Sequence, residues 1–166
     1  MALFRPFAAL LLLLIGLAAC ETPGEPTPRG PSYYVMRHLQ KAEGPDPALS
    51  EEGQANARRL IALFAADPPR AIYVSTTRRA RETAAPLARK LRVKLRNYDP
   101  ADTPGLVARV LADEGPVLVV GHSNTVPEIV ERLGGERPAA LAETDYGDVW
   151  HVWGAPPRTV RLRVGN

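Results

Sequence analysis

The stretch from Tyr33 to Asn166 predicts an α/β fold, a three-layer α/β/α sandwich around a mostly parallel central sheet. Three observations carry this expectation. Apolar runs of strand length alternate with longer segments of helical period, three of those runs end in polar residues, and two closing strands follow with no helix between them.

Residues 33–36 are an apolar run that stops at Arg37-His38, a buried strand whose carboxyl end presents polar side chains. Ser50 caps the next helix, where Glu51 and Glu52 suit the positive end of the dipole and Leu60, Ile61 and Phe64 supply an apolar face; Pro68-Pro69 ends the segment. Residues 71–74 form a second strand, which runs at Ser75 into a helix where Thr83, Leu87 and Leu91 recur at helical spacing. A short strand at 93–95 and a loop holding Asp99 and Asp102 lead to a helix over 104–112 that turns Leu106, Val107, Val110 and Leu111 inward. The third major strand, 116–120, ends in Gly121-His122-Ser123-Asn124. A helix then begins near Thr125, with Pro127 in its first turn, and closes at Gly134-Gly135. Strands at 149–153 and 159–164, joined by a turn with Pro156-Pro157, form a sheet edge. Trp150 and Trp153 fall on opposite sides of the first of these, and His151 between them reads as structural.

Upstream of this domain, residues 1–19 have the layout of a secretory signal: a short start carrying Arg5, an apolar run over 8–17, then small residues. The run is about half the roughly 20 residues a membrane span needs. Leu17-Ala18-Ala19-Cys20 resembles a bacterial lipobox, which implies that Cys20 carries the lipid and anchors the chain to a membrane. Glu21 in the following position, where an aspartate commonly retains such lipoproteins at the inner membrane, favours the outer membrane, facing the periplasm. Residues 20–32, with four prolines and two glycines after Cys20, read as a linker of about 35 Å if extended. Residues 33–166 are the right size for one domain.

Cys20 is the only cysteine, which excludes an intramolecular disulfide and a cysteine-rich metal site. The three histidines are dispersed without paired-ligand spacing, so neither a metal nor an organic cofactor is expected. The formal charge of +3 becomes +2 without Arg5, with bases interspersed among acids, and this argues against a nucleic-acid partner. Nothing in the sequence reads out an oligomeric state.

In an open α/β sheet, ligands bind beyond the carboxyl ends of the strands. Three segments deliver polar groups there: Arg37-His38, Ser75 to Arg81, and His122-Ser123. Each alone is a common surface or structural feature; what singles them out is that all three fall at one edge.

These segments resemble the signatures of the histidine phosphatase superfamily, also called phosphoglycerate mutase-like, and especially its small uncapped bacterial members. The Arg-His-Gly signature matches Arg37-His38-Leu39, and Ser-Pro-Leu-x-Arg-Ala-x-x-Thr-Ala is similar to the ten residues from Ser75 to Ala84, placing the phosphate-binding arginine at Arg79. Gly-His-Ser is Gly121-His122-Ser123, and Leu49-Ser50-Glu51-Glu52-Gly53 resembles the leader of the family's first helix. The resemblance implies a phosphatase acting on a small-molecule phosphate ester or a phosphoprotein, including protein phosphohistidine. Its nucleophile is His38, with Arg37, Arg79 and His122 as the clamp and Ser123 beside it. Neutral His38 has a lone pair that can attack phosphorus, water then hydrolyses the phosphohistidine, and guanidinium forks suit the charge on the transferring group. Positive neighbours should keep His38 unprotonated, and activity near neutral pH is expected.

The sequence departs from the family in two places. The signature glycine is Leu39, whose bulk is expected to narrow the pocket beside the nucleophile. No motif identifies the carboxylate that protonates the leaving oxygen; Asp102 is the candidate, with Asp99 second, while Asp145 and Asp148 read as turn residues. These departures motivate an alternative, a catalytically inactive lipoprotein of the same fold that binds a phosphate ligand without turning it over.

Overall fold

The structure is a computed structural model that describes residues 30–165. The signal over 1–19, the lipid site at Cys20 and most of the linker lie outside the described residues.

Four parallel strands, β1 (Ser32–Arg37), β2 (Ala71–Ser75), β3 (Leu95–Tyr98) and β4 (Val117–Gly121), join the antiparallel β5 (Asp148–Trp153) and β6 (Arg158–Arg163). They form one sheet in the order β3-β2-β4-β1-β5-β6. The three strands of the sheet centre, β1, β2 and β4, are buried along their whole length because both faces are covered. Along β1, Tyr34 and Met36 face one layer while Tyr33 and Val35 face the other, the alternation expected of a strand.

The first layer is α1 (Glu51–Leu63) and α2 (Arg78–Leu91), whose Leu60, Ala84 and Leu87 meet Met36, Ile72, Val74 and Leu118. The second is α3 (Thr103–Ala112) and α4 (Val126–Arg132), whose Leu106, Val110 and Ile129 meet Val35, Tyr73 and Val119. Each such side chain taken fully out of water contributes about 1.5–3 kcal/mol. The three-layer expectation therefore holds, with its helices in two pairs.

Ser50 caps α1 as expected, its hydroxyl accepting from Gly53 N–H at 3.1 Å. The third strand sits two residues later than its apolar pattern suggests. Arg92 turns left-handed at the end of α2 (φ 57°), and Val93 N–H bonds to the Ala88 carbonyl, so Val93 closes the helix and pairing with β2 starts at Leu95. Leu111, expected inward, is 52% exposed, since Leu106, Val107 and Val110 already fill the stripe of α3 that faces the sheet. Of the two closing strands only β6 is an edge; β5 pairs with both β1 and β6. Trp150 is buried in the core and Trp153 half-buried, while His151 stacks on Tyr34 (4.1 Å between ring centroids) and bonds through Nε2 to Ser32 Oγ (2.8 Å), the structural role expected of it.

Candidate active site

β1, β4 and β2 are parallel neighbours, so their carboxyl ends open on one edge of the sheet. His38 follows β1, Ser75 ends β2 at the threshold of α2, and His122 follows β4. The backbone joins two of these ends directly, His38 N–H donating to the Gly121 carbonyl at 3.0 Å. At Gly121 a Cβ would stand 3.0 Å from Thr125 Oγ1, the hydroxyl that accepts His122 N–H; a side chain there would push that tie aside.

His38 is 3% exposed, and both ring nitrogens are engaged. Nδ1 lies 2.9 Å from the Leu39 carbonyl, which can only accept, so Nδ1 carries the proton and Nε2 keeps its lone pair. Arg79 Nε, a donor only, points at that lone pair from 3.0 Å. The His122 ring lies edge-on to His38, 5.5 Å between centroids, and is held by Ser75 Oγ at 2.9 Å from its own Nε2. Residues 38, 79 and 122 thus converge, as their positions at three strand ends predict, and Arg37 lies near enough for its charge to bear on both imidazoles.

Burial drives the His38 imidazole down to about 3, against the pull of its bond to the Leu39 carbonyl; the charges of Arg37 and Arg79 and the nearness of His122 push the same way as burial. His122 is lowered to about 4 by burial first, then by Arg79 and Arg37. Both rings are neutral at neutral pH.

Arg37 is 2% exposed, and its fork is held by a loop in which no motif is visible. Nη1 donates to the carbonyls of Ala142 (2.6 Å) and Asp145 (3.2 Å), Nη2 to the Glu143 carboxylate (3.1 Å), and the guanidinium lies 4.3 Å over the Tyr146 ring. Its Nε is buried with no partner among the described residues, a donor that an anion lodged beside His38 would satisfy. This segment between α4 and β5 went unrecognised as part of the site. Asp145 does make the expected turn, accepting Ala142 N–H with its carboxylate, but its carbonyl is a ligand of the clamp. Asp148 pairs instead with Arg163 and Arg161.

Leu39 does not narrow the pocket. Its side chain is fully buried in the layer under α1 and α2, while its N–H donates to Thr83 Oγ1 (3.0 Å), which in turn donates to the Arg79 carbonyl (2.8 Å). A residue that looked like an obstruction fastens the loop of His38 to the helix of Arg79. Ser123 is half-buried in the turn before α4, and its side chain bonds to none of Arg37, His38, Arg79 and His122. Asp102 caps α3, its Oδ1 accepting from Gly105 N–H at 2.9 Å, which leaves Oδ2 uncommitted. Asp102 and Asp99 line a cleft of about 500 Å³ whose lining also includes Thr76, the residue after Ser75.

The model of the histidine phosphatase superfamily (branch 1) matches residues 34–100. No curated protein sequence matches the chain. Among solved structures, the fold is similar to a protein of Agrobacterium tumefaciens classed as the phosphohistidine phosphatase SixA (20% identity, 79% of this chain and 97% of that one, TM-score 0.61). It is also similar to a mycobacterial glucosyl-3-phosphoglycerate phosphatase (18%, 82% and 99%, TM-score 0.62) and to a protein histidine phosphatase SixA in complex with tungstate (15%, 80% and 96%, TM-score 0.64).

Proposed function

From a chain that has the histidine phosphatase fold and matches that superfamily's model, we propose a phosphatase that works through a phosphohistidine on His38. One observation carries the reading: Nε2 of His38 is a buried, unprotonated nitrogen, aimed by the Leu39 carbonyl behind it and faced by the Arg79 fork.

In the first step a bound phosphate ester draws the Arg79 donor from Nε2 onto its own oxygens. The freed lone pair attacks phosphorus, an N–P bond forms, and the P–O bond to the leaving group breaks. The leaving oxygen takes a proton from Asp102, through the oxygen that does not cap α3. In the second step water attacks phosphorus on the opposite side from Nε2, its proton passes to the Asp102 carboxylate, and the N–P electron pair returns to His38. Arg37 Nε, Arg79 and His122 stabilise the charge on the equatorial oxygens; a single preorganised donor of this kind is worth about a hundredfold or more. Ser123, in the turn that follows His122, serves as an additional phosphate ligand. Phosphomonoesters and protein phosphohistidine are both within this chemistry, since either presents a phosphoryl group on a displaceable atom. With Leu39 turned into the core, the pocket keeps the room that the inactive alternative denied it.

The deciding experiment is phosphate release from an aryl phosphate and from a phosphohistidine peptide, with an alkaline denaturing quench to trap the labelled enzyme, since the N–P bond survives base and not acid. His38→Ala should release nothing and trap nothing. Equal rates in the two proteins refute the mechanism, and phosphate binding without trapped label selects the inactive alternative.

The envelope location belongs to the same proposal, supported by the apolar run over 8–17 and by Cys20. Wild-type protein should partition into detergent and Cys20→Ala into water; identical partition refutes lipidation.

A further inference from the structure

The seam between α1 and α2 holds a cleft of about 330 Å³ that the phosphoryl chemistry does not use. Its floor is apolar, formed in part by Ala57 and Pro86, and three arginines stand on it: Arg58, Arg78 and Arg89. The one carboxylate in the lining, Glu82, is spent internally, one oxygen on Arg78 Nε (2.7 Å) and the other on Leu49 N–H (2.7 Å). Arg58 and Arg89 are exposed, and among the described residues neither has a carboxylate partner. The cleft therefore carries uncompensated positive charge over an apolar floor.

It also begins at the rim of the phosphate site. Asp46 accepts Arg78 N–H at 2.8 Å and lies 3.9 Å from Arg79 Nη1, so one carboxylate links the head of the cleft to the clamp. From Arg78 to Arg89 the helix rises by about 16 Å, more than a small ester held at His38 can reach and about the span of five extended residues. Pro86 gives no N–H to the Glu82 carbonyl, which lacks its usual partner one turn on.

We infer that the α1–α2 cleft docks an acidic segment of a phosphorylated protein while its phosphoryl group sits at His38. The inference rests on the phosphatase reading and narrows its substrate to a phosphoprotein. An extended chain fits the length, and Asp and Glu side chains fit Arg58 and Arg89 by charge.

The test compares full-length protein with an Arg58→Gln/Arg89→Gln variant on three substrates: an aryl phosphate, a phosphohistidine peptide with acidic flanks, and the same peptide with neutral flanks. Gln keeps the helices nearly as well as Arg, and thermal unfolding checks this. Two exposed charge pairs amount to about a tenfold preference for the acidic peptide in kcat/KM at low salt, fading at high salt. The variant should lose that preference and keep its rate on the aryl phosphate. A wild-type enzyme indifferent to the flanks, or a variant that still prefers acidic ones, overturns the inference, as does binding to anionic lipid vesicles in place of the peptide. Should wild type hydrolyse nothing, the phosphatase reading fails, and fluorescence anisotropy of the acidic and neutral peptides on both proteins still decides the docking.

Discussion

Arg79 Nε donates to His38 Nε2 across 3.0 Å, so the guanidinium that would bind a phosphate rests on the atom that would attack it. The ligand-free site satisfies a buried lone pair with the same cation that the proposed mechanism gives to the substrate. The geometry depends on a planar fork with a donor at its elbow. Arg79→Lys keeps the charge and loses that geometry, and it should lower kcat/KM on the order of a hundredfold while thermal unfolding changes little. Steady-state kinetics beside a melt of each protein separates the two effects.

His38 and His122 remain neutral far below the ordinary imidazole range, with values near 3 and 4. Ring-proton NMR of the ligand-free protein should therefore show neither titrating between pH 5 and 8. The acid limb of kcat/KM should follow the phosphate of the substrate and not an imidazole near 6.5.

The same lowering bears on stability. Unfolded imidazoles bind protons near 6.5, so between that value and about 3 to 4 the unfolded chain holds more protons than the folded one. The contribution of both rings is complete above the unfolded value and is lost as pH falls through this window. Urea midpoints should drop from pH 7.5 to pH 5, and His122→Asn should flatten part of that slope.

Leu39→Gly restores the family signature and should still harm the protein. It empties a fully buried site under α1 and α2, at a cost of about 3 kcal/mol or more once the flexibility of glycine is included. The bonds that fix the nucleophile's loop run through the backbone of residue 39, so turnover per folded molecule should remain near that of wild type. Urea unfolding together with active-site titration measures both.

Asp102→Asn and Asp102→Ala distinguish capping from proton donation. Asn caps as well as Asp, whereas Ala should cost about 1 kcal/mol of stability. If Oδ2 supplies the proton, both variants lose kcat/KM on an alkyl phosphate, whose leaving group needs protonation, and neither loses kcat/KM on an aryl phosphate with an acidic phenol, because hydrolysis of the phosphoenzyme does not enter that ratio. Uniform rates across the pair of substrates would remove Asp102 from the mechanism.

Residues 37, 38, 79 and 122 were legible in the sequence because the sheet fixes where strand ends go, and a motif at a parallel strand end has only one edge to occupy. The orientation of Leu39 was not legible: whether the residue after the nucleophile faces the pocket or the core is set by its N–H reaching Thr83, 44 positions away. Thr83 itself was read as packing at helical spacing, which describes its place and not its hydroxyl. The loop around Arg37 was hidden for another reason. Two of its three polar contacts are main-chain carbonyls, which any residue at 142 and 145 would provide, so no side-chain pattern marks them. Glu143 alone carried a signal, and an exposed glutamate in a loop resembles any other.

Strand β1 has the incoming chain at Ser32 and the reacting imidazole just past Arg37, about 20 Å along the strand. Under the proposed lipidation of Cys20, a pull from that side enters the domain at the amino end of β1, opposite the end that carries His38. An attachment there would load the end of β1 that carries no site residue, leaving the His38 end to the substrate.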